Sequence, residues 1–157
     1  MSESKLRLDK HSEQLAFLEK IRQYLNEATM SANANSNQKH ALVIENNEAM
    51  IEALQLKLTA AKVDTTALRN GEEAITYLSN NKPDIILLDL VLPQINGWEV
   101  LRIIKASEKL KDIPVIILTN LGLIQEIEKG KAMGAVDYLI KSNTSINDVV
   151  KTILKHI

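Results

Sequence analysis

The stretch Ile85-Ile86-Leu87-Leu88-Asp89-Leu90 constrains the fold more than any other part of the chain. It is an aliphatic run with a single carboxylate near its far end. A continuous apolar run without polar alternation suits a strand covered on both faces, as in a parallel sheet. Turn signals bound it, Lys82-Pro83-Asp84 before and Leu92-Pro93-Gln94-Ile95-Asn96-Gly97 after. A carboxylate buried without partners is costly, so Asp89 is expected at the strand's exit, where the chain meets water or a cation. In open α/β sheets, ligands bind outside the carboxyl ends of the strands.

From His40 onward the pattern alternates. Ala41-Leu42-Val43-Ile44 reads as a short strand followed by Glu45-Asn46-Asn47-Glu48, and a helix then carries Ile51, Leu54, Leu58 and Ala61 on one stripe. Val63 to Leu68 is a more polar strand, suited to a sheet edge. Asn70-Gly71-Glu72-Glu73 has the capping-box form and starts a helix through Leu78; Asn96-Gly97-Trp98-Glu99 repeats it after the Asp89 strand and opens a helix with Val100, Leu101, Ile103 and Ile104 on its apolar side. Pro114 to Thr119 is a fourth strand, followed by a helix from about Leu123 that ends at Gly134. Val136 to Lys141 is a fifth strand, and Ser145 opens a last helix with Ile146, Val149, Val150, Ile153 and Ile157 on its stripe. Such βα repetition predicts an α/β fold: a doubly wound five-stranded parallel sheet with helices on both faces and right-handed crossovers. The expected strand order is 2-1-3-4-5, the flavodoxin-like order.

Residues 1–28 form an expected N-terminal amphipathic helix, capped by Ser12, with Phe17, Leu18, Ile21, Tyr24, Leu25 and Ala28 on one broad face. Residues 29–39 are polar and small-sided and read as a flexible linker, leaving 40–157 as the main domain. A lone helix of this length is marginal in water, so it is expected to dock on its own domain, on a second copy as a homodimer, or on a partner. His11 invites a phosphorelay reading, but the surrounding Lys10-His11-Ser12 does not look like a kinase phosphoacceptor box, and a solvated histidine is far commoner.

Bulk properties narrow the function. A formal net charge of −1 gives no global field toward nucleic acid or anionic membrane. The absence of cysteine removes disulfide and thiolate chemistry. No apolar stretch is long enough to span a bilayer, and the N-terminus lacks a signal-peptide core, so residence is expected to be cytoplasmic.

At the exits of strands one, three, four and five stand Glu45/Asn46, Asp89, Thr119 and Lys141. In the expected topology all lie on one edge of the sheet, and strands one and three flank the crevice at the switch point. Unrelated polar residues at strand ends would not be expected to match in type. Taken alone, Thr119 has ordinary β propensity, Tyr138 suits an edge strand and Trp98 suits helix packing. Lys141 is more telling, because a lysine directed into a buried crevice needs an anion.

Here the chain resembles the bacterial response-regulator receiver domain. Val43-Ile44-Glu45-Asn46-Asn47-Glu48 resembles the family's acidic pair after strand one, and Ile86-Leu87-Leu88-Asp89-Leu90-Val91-Leu92-Pro93 its aspartate ending strand three. Val115-Ile116-Ile117-Leu118-Thr119-Asn120 matches the hydroxyl residue of strand four, and Asp137-Tyr138-Leu139-Ile140-Lys141 the lysine of strand five. The resemblance covers residues 40–157 and leaves out 1–39. It implies that Asp89 takes a phosphoryl group from the histidine of a kinase or phosphotransfer protein. Mg2+ would be held by Asp89, Glu45, Asn46 and the backbone carbonyl of Val91. Lys141 and the Thr119 hydroxyl would bind phosphoryl oxygens, and Tyr138 would rotate inward to remodel the face of helix four, strand five and helix five of the alternating region. Any enzymatic activity would be limited to autocatalytic phosphotransfer and self-dephosphorylation. Output would reach a downstream protein target, with no direct DNA binding and no membrane contact.

The pattern also breaks. Asn46 replaces one carboxylate of the pair, so Mg2+ binding is expected to be weakened. Asn120 stands where the family has a small residue, and Ser142 stands where a proline is usual, so a trans bond is expected there. The alternative is a pseudo-receiver that binds or scaffolds proteins without phosphorylation. A flavodoxin-like cofactor site is disfavoured, because no phosphate-cradling loop follows strand one and few aromatics are available to stack a flavin.

Overall fold

The computed structural model describes residues 3–34 and 37–157, with side chains described over 10–27 and 37–157. The chain forms two compact units, Met1–Gln38 and Lys39–Ile157.

The second unit is built from β1 (His40–Ile44), α2 (Glu48–Ala60), β2 (Asp64–Leu68), α3 (Gly71–Asn80), β3 (Ile85–Leu88), α4 (Gly97–Ala106), β4 (Val115–Thr119), α5 (Ile124–Ala132), β5 (Asp137–Ile140) and α6 (Ile146–Lys155), with a short 3-10 turn over Lys141–Asn143 before α6. The strands form one parallel sheet in the order β2-β1-β3-β4-β5, as expected from the sequence. Apart from His40 at the start of β1, the central strands are buried throughout, whereas β2 at one edge is mostly half-buried.

Alternate residues of the central strands feed two cores, because successive side chains point to opposite faces. Leu42, Ile44, Ile86, Leu88, Val115 and Ile117 pack with Ala74 and Leu78 of α3 and with Val100, Leu101 and Ile104 of α4. Ala41, Val43, Ile85, Leu87, Ile116 and Leu118 pack with Leu54 and Leu58 of α2 and with Val149, Val150 and Ile153 of α6. Full burial of each such aliphatic side chain is worth roughly 1.5–3 kcal/mol. The two cores thereby fix all five strand exits along one edge.

The expected caps are present. Asn70 accepts from the Glu73 N–H at 2.8 Å, Asn96 from the Glu99 N–H at 3.1 Å and Ser145 from the Asp148 N–H at 3.1 Å. Each satisfies one of the orphan donors of a helix start. Gly134 lies just past α5 with φ 103°, and every peptide bond among the described residues is trans, including that before Ser142.

The first unit is the helix α1 (Glu3–Ala34). It differs from the sequence expectation at both ends. Ser12 lies inside it and does not cap it, and residues 29–34 of the expected linker are helical; Asn35 and Ser36 lie outside the described residues. The physical reason is composition. No glycine or proline occurs before Gly71, and Leu, Arg, Lys, Glu, Gln and Ala dominate, so polarity alone does not break the helix. Leu15, Phe17, Leu18, Ile21, Tyr24 and Leu25 are all exposed on it.

Candidate functional site: a lysine shared by two buried carboxylates

The sheet register builds the site. The Asp89 N–H donates to the Ile44 carbonyl at 2.9 Å, and the Glu45 N–H donates to the Leu68 carbonyl at 2.9 Å, so the ladder runs one step past each strand. Glu45 and Asp89 therefore leave adjacent strands side by side. Both are buried, at 2% and 4% exposure. Lys141, one residue past β5, reaches across and places Nζ 2.6 Å from Glu45 Oε2 and 2.8 Å from Asp89 Oδ2.

The remaining carboxylate oxygens are also satisfied. Glu45 Oε1 accepts the Asn47 N–H at 2.9 Å, and Asp89 Oδ1 accepts the Val91 N–H at 3.1 Å. Two buried anions facing one ammonium leave a net negative pocket at a place that excludes most water. Desolvation pulls the Lys141 pKa down, but the hydrogen bonds to Asp89 and then Glu45, with their charges, outweigh it and the net shift is upward.

Thr119 ends β4 and is fully buried. Its hydroxyl accepts a long bond of 3.5 Å from the Leu121 N–H. Tyr138 lies half-buried on β5, and its hydroxyl donates to the Leu121 carbonyl at 2.6 Å. Burial raises its phenol pKa above the ordinary value, with the charges of Glu126 and Asp89 adding. In this structure the Tyr138 ring packs against the core with its hydroxyl on the Leu121 carbonyl, an inward position. The two threads meet at Leu121, between the hydroxyl of Thr119 and that of Tyr138.

Of the residues singled out in sequence, Glu45, Asp89 and Lys141 are in direct contact. Thr119 is at the neighbouring strand exit. Val91 touches Asp89 through its N–H, while its side chain is exposed. Asn46 is exposed, and so is Asn120. Trp98 is a packing residue against the α3–α4 core, as expected, and carries Lys129 Nζ 4.2 Å above its ring.

Sequence reasoning missed three residues. Asn47 satisfies Glu45 through its backbone while its side chain caps α2 at 3.0 Å from the Met50 N–H; an Asn before a helical stripe is a readable signal for the cap. Leu121 acts through its carbonyl and has no side-chain signature. Gly97 is the third. A Cβ there would lie 2.2 Å from the Asp89 carbonyl oxygen and 2.5 Å from Leu90 Cα, so only glycine lets α4 start against the backbone of the acidic residue. Its N–H donates to the Leu90 carbonyl at 2.9 Å.

The family model for the response regulator receiver domain matches residues 41–153. The chain belongs to that family. Among curated relatives, the receiver is 32% identical over 125 residues to the probable transcriptional regulator ycf27 of Cyanidium caldarium, covering 78% of this chain and 49% of that protein. It is 34% identical over 100 residues to the transcriptional regulatory protein CusR of Escherichia coli, covering 64% of this chain and 43% of that one. It thus spans less than half the length of these relatives, although it covers 96% of the polar-differentiation response regulator DivK of Brucella anthropi, at 29% identity over 119 residues and 76% of this chain. Among solved structures, the receiver domain of the Francisella response regulator 1452 superposes with a TM-score of 0.69 at 26% identity, over 75% of this chain and 95% of that one. The Mn(2+)-bound response regulator Rcp1 superposes with a TM-score of 0.66 at 30% identity, over 74% of this chain and 90% of its own. No described helix is long and apolar enough to cross a membrane.

Proposed function

We propose that the chain is a phosphoaccepting receiver that takes a phosphoryl group onto Asp89 from the histidine of a kinase or phosphotransfer protein. The observation that supports this most is the Lys141 ammonium held 2.8 Å from a buried Asp89. An Asp89 carboxylate oxygen attacks phosphorus as the P–N bond to the imidazole breaks, and the leaving imidazole keeps the bonding pair and takes a proton. The transferred group carries spread negative charge, so the protein's part is positioning and charge stabilisation. Lys141 is the fixed positive charge for it, and Thr119 is the hydroxyl donor at the adjacent exit.

The donor set fits a divalent cation. Glu45 and Asp89 already converge on one cation, and each carboxylate oxygen retains a lone pair beyond the hydrogen bond it accepts. Mg2+ takes few carboxylates and keeps several waters. When bound by Glu45, Asp89 and the Val91 carbonyl, with the Asn46 carbonyl as a neutral fourth donor, it supplies neutralisation of the phosphoryl charge. The manganese-bound relative supports a metal in this fold.

Incubation with a small phosphodonor and Mg2+, followed by intact mass, tests the reading. A phosphate adduct that disappears in Asp89→Ala is expected; no adduct from any donor or kinase would leave the second reading. That reading is a phosphorylation-independent binding module, and the observation that favours it is Asn46, exposed and uncharged where a carboxylate would complete the pocket.

Output is assigned to the α5–β5–α6 face and a downstream protein target, in the cytoplasm. The exposed apolar face of α1 is assigned to self-association with a second copy.

A further inference from the structure

Gly130 sits inside α5, where a glycine weakens a helix relative to alanine. It is buried. A Cβ at this position would lie 2.8 Å from Ile117 Cδ1, 2.9 Å from Tyr138 Cδ2 and 3.1 Å from Tyr138 Cε2. The missing methyl is therefore the space that the Tyr138 ring occupies. Beyond the ring, the hydroxyl donates to the Leu121 carbonyl at 2.6 Å, so the side chain is fixed at both ends. The next residue toward the helix start, Lys129, lies over the Trp98 ring at 4.2 Å and ties this turn of α5 to α4.

We propose that Gly130 is a positioning residue that holds Tyr138 inward, so that packing sets the α5–β5–α6 face in its ring-in form independently of chemistry at Asp89. A ligand or modification shifts an equilibrium only by its differential interaction with the two states. A ring already seated by packing leaves phosphorylation to act on this face through the surrounding groups rather than through ring rotation. The meaning of the ring position for output rests on the receiver reading above; the packing does not.

The test uses the full chain without a phosphodonor. NMR of ring-labelled tyrosine, with Tyr138→Phe to assign the resonance, is expected to show a shielded Tyr138 ring and a slowly exchanging hydroxyl. A solvent-like ring in the unsubstituted chain overturns the proposal without any variant of Gly130. In Gly130→Ala the ring is expected to move to a solvent-like resonance, and Tm to fall. In a Tyr138→Ala background the same substitution is expected to raise Tm, because the flexible end of Ile117 can swing aside and alanine is the better helix former. The same sign of Tm change in both backgrounds, or an unmoved ring in Gly130→Ala, would assign the glycine to packing on Ile117 alone. None of these readouts needs phosphotransfer. A missing phosphate adduct therefore sinks the receiver reading and spares this one, and an outward ring does the reverse.

Discussion

Asn46 is one amide where a second carboxylate would stand, and electrostatics gives the size of the difference. A unit charge at about 4 Å is worth ~1 kcal/mol per unit of cation charge in water and ~4 kcal/mol at an effective dielectric of 20. Repulsion from Glu45 and Asp89 offsets part of that gain. Asn46→Asp is expected to tighten Mg2+ binding by about tenfold or more, read by calorimetric titration; an unchanged affinity would show that charge count does not limit the site. Lys141 works in the opposite sense. Removing it as Lys141→Met strands two buried carboxylates, a loss of roughly 3 kcal/mol in stability at neutral pH, read by urea unfolding. The pH dependence follows from the upward shift. Its folded pKa exceeds the unfolded value, so its ion-pair stabilisation is complete below the unfolded pKa and is lost as pH rises through the folded one. Native protein should lose stability on the alkaline side in a step that Lys141→Met lacks. Gly97→Ala meets backbone atoms, not a movable side chain, and is expected to cost on the order of 2 kcal/mol or more and to reduce adduct formation on Asp89, since α4 must back away from it. These effects were only half legible in the residues themselves. Asp89 and Lys141 could be read because each follows an apolar run. That Lys141 serves Glu45 as well as Asp89 depends on the reach of a side chain across two neighbouring strands, which no local pattern encodes.

At the level of elements, the sheet was the most legible part. Continuous aliphatic runs such as Val115–Leu118 allow few other environments, and Asn70, Asn96 and Ser145 mark their helices because a side-chain acceptor is needed where backbone donors are left over. α1 runs on through Ser31 and Asn33, because polar residues lower helix propensity without ending a helix as glycine or proline would. Its exposed face makes a prediction. Phe17, Leu18 and Tyr24 are exposed by 65%, 60% and 74%, an apolar surface too continuous for a solitary helix. Sedimentation of the full chain should show self-association with rising concentration, abolished by Phe17→Glu with Ile21→Glu. A monomer at every concentration would give that face to a different protein.

For the whole molecule, the division into Met1–Gln38 and Lys39–Ile157 predicts separable roles. On the proposed reading, residues 39–157 alone should fold and form the same phosphate adduct expected of the full chain; loss of the adduct on truncation only would make α1 part of the acceptor. The distribution of the site along the chain has a further effect. Lys141 and Asp89 are 52 residues apart and come from strands separated by β4, and Glu45 comes from a third strand. A chain still emerging from the ribosome, or one that has lost its last strand, owns the aspartate but not the ammonium beside it. On the receiver reading proposed above, the capacity to accept a phosphoryl group therefore arrives only with completed folding, and half-made copies would stay silent.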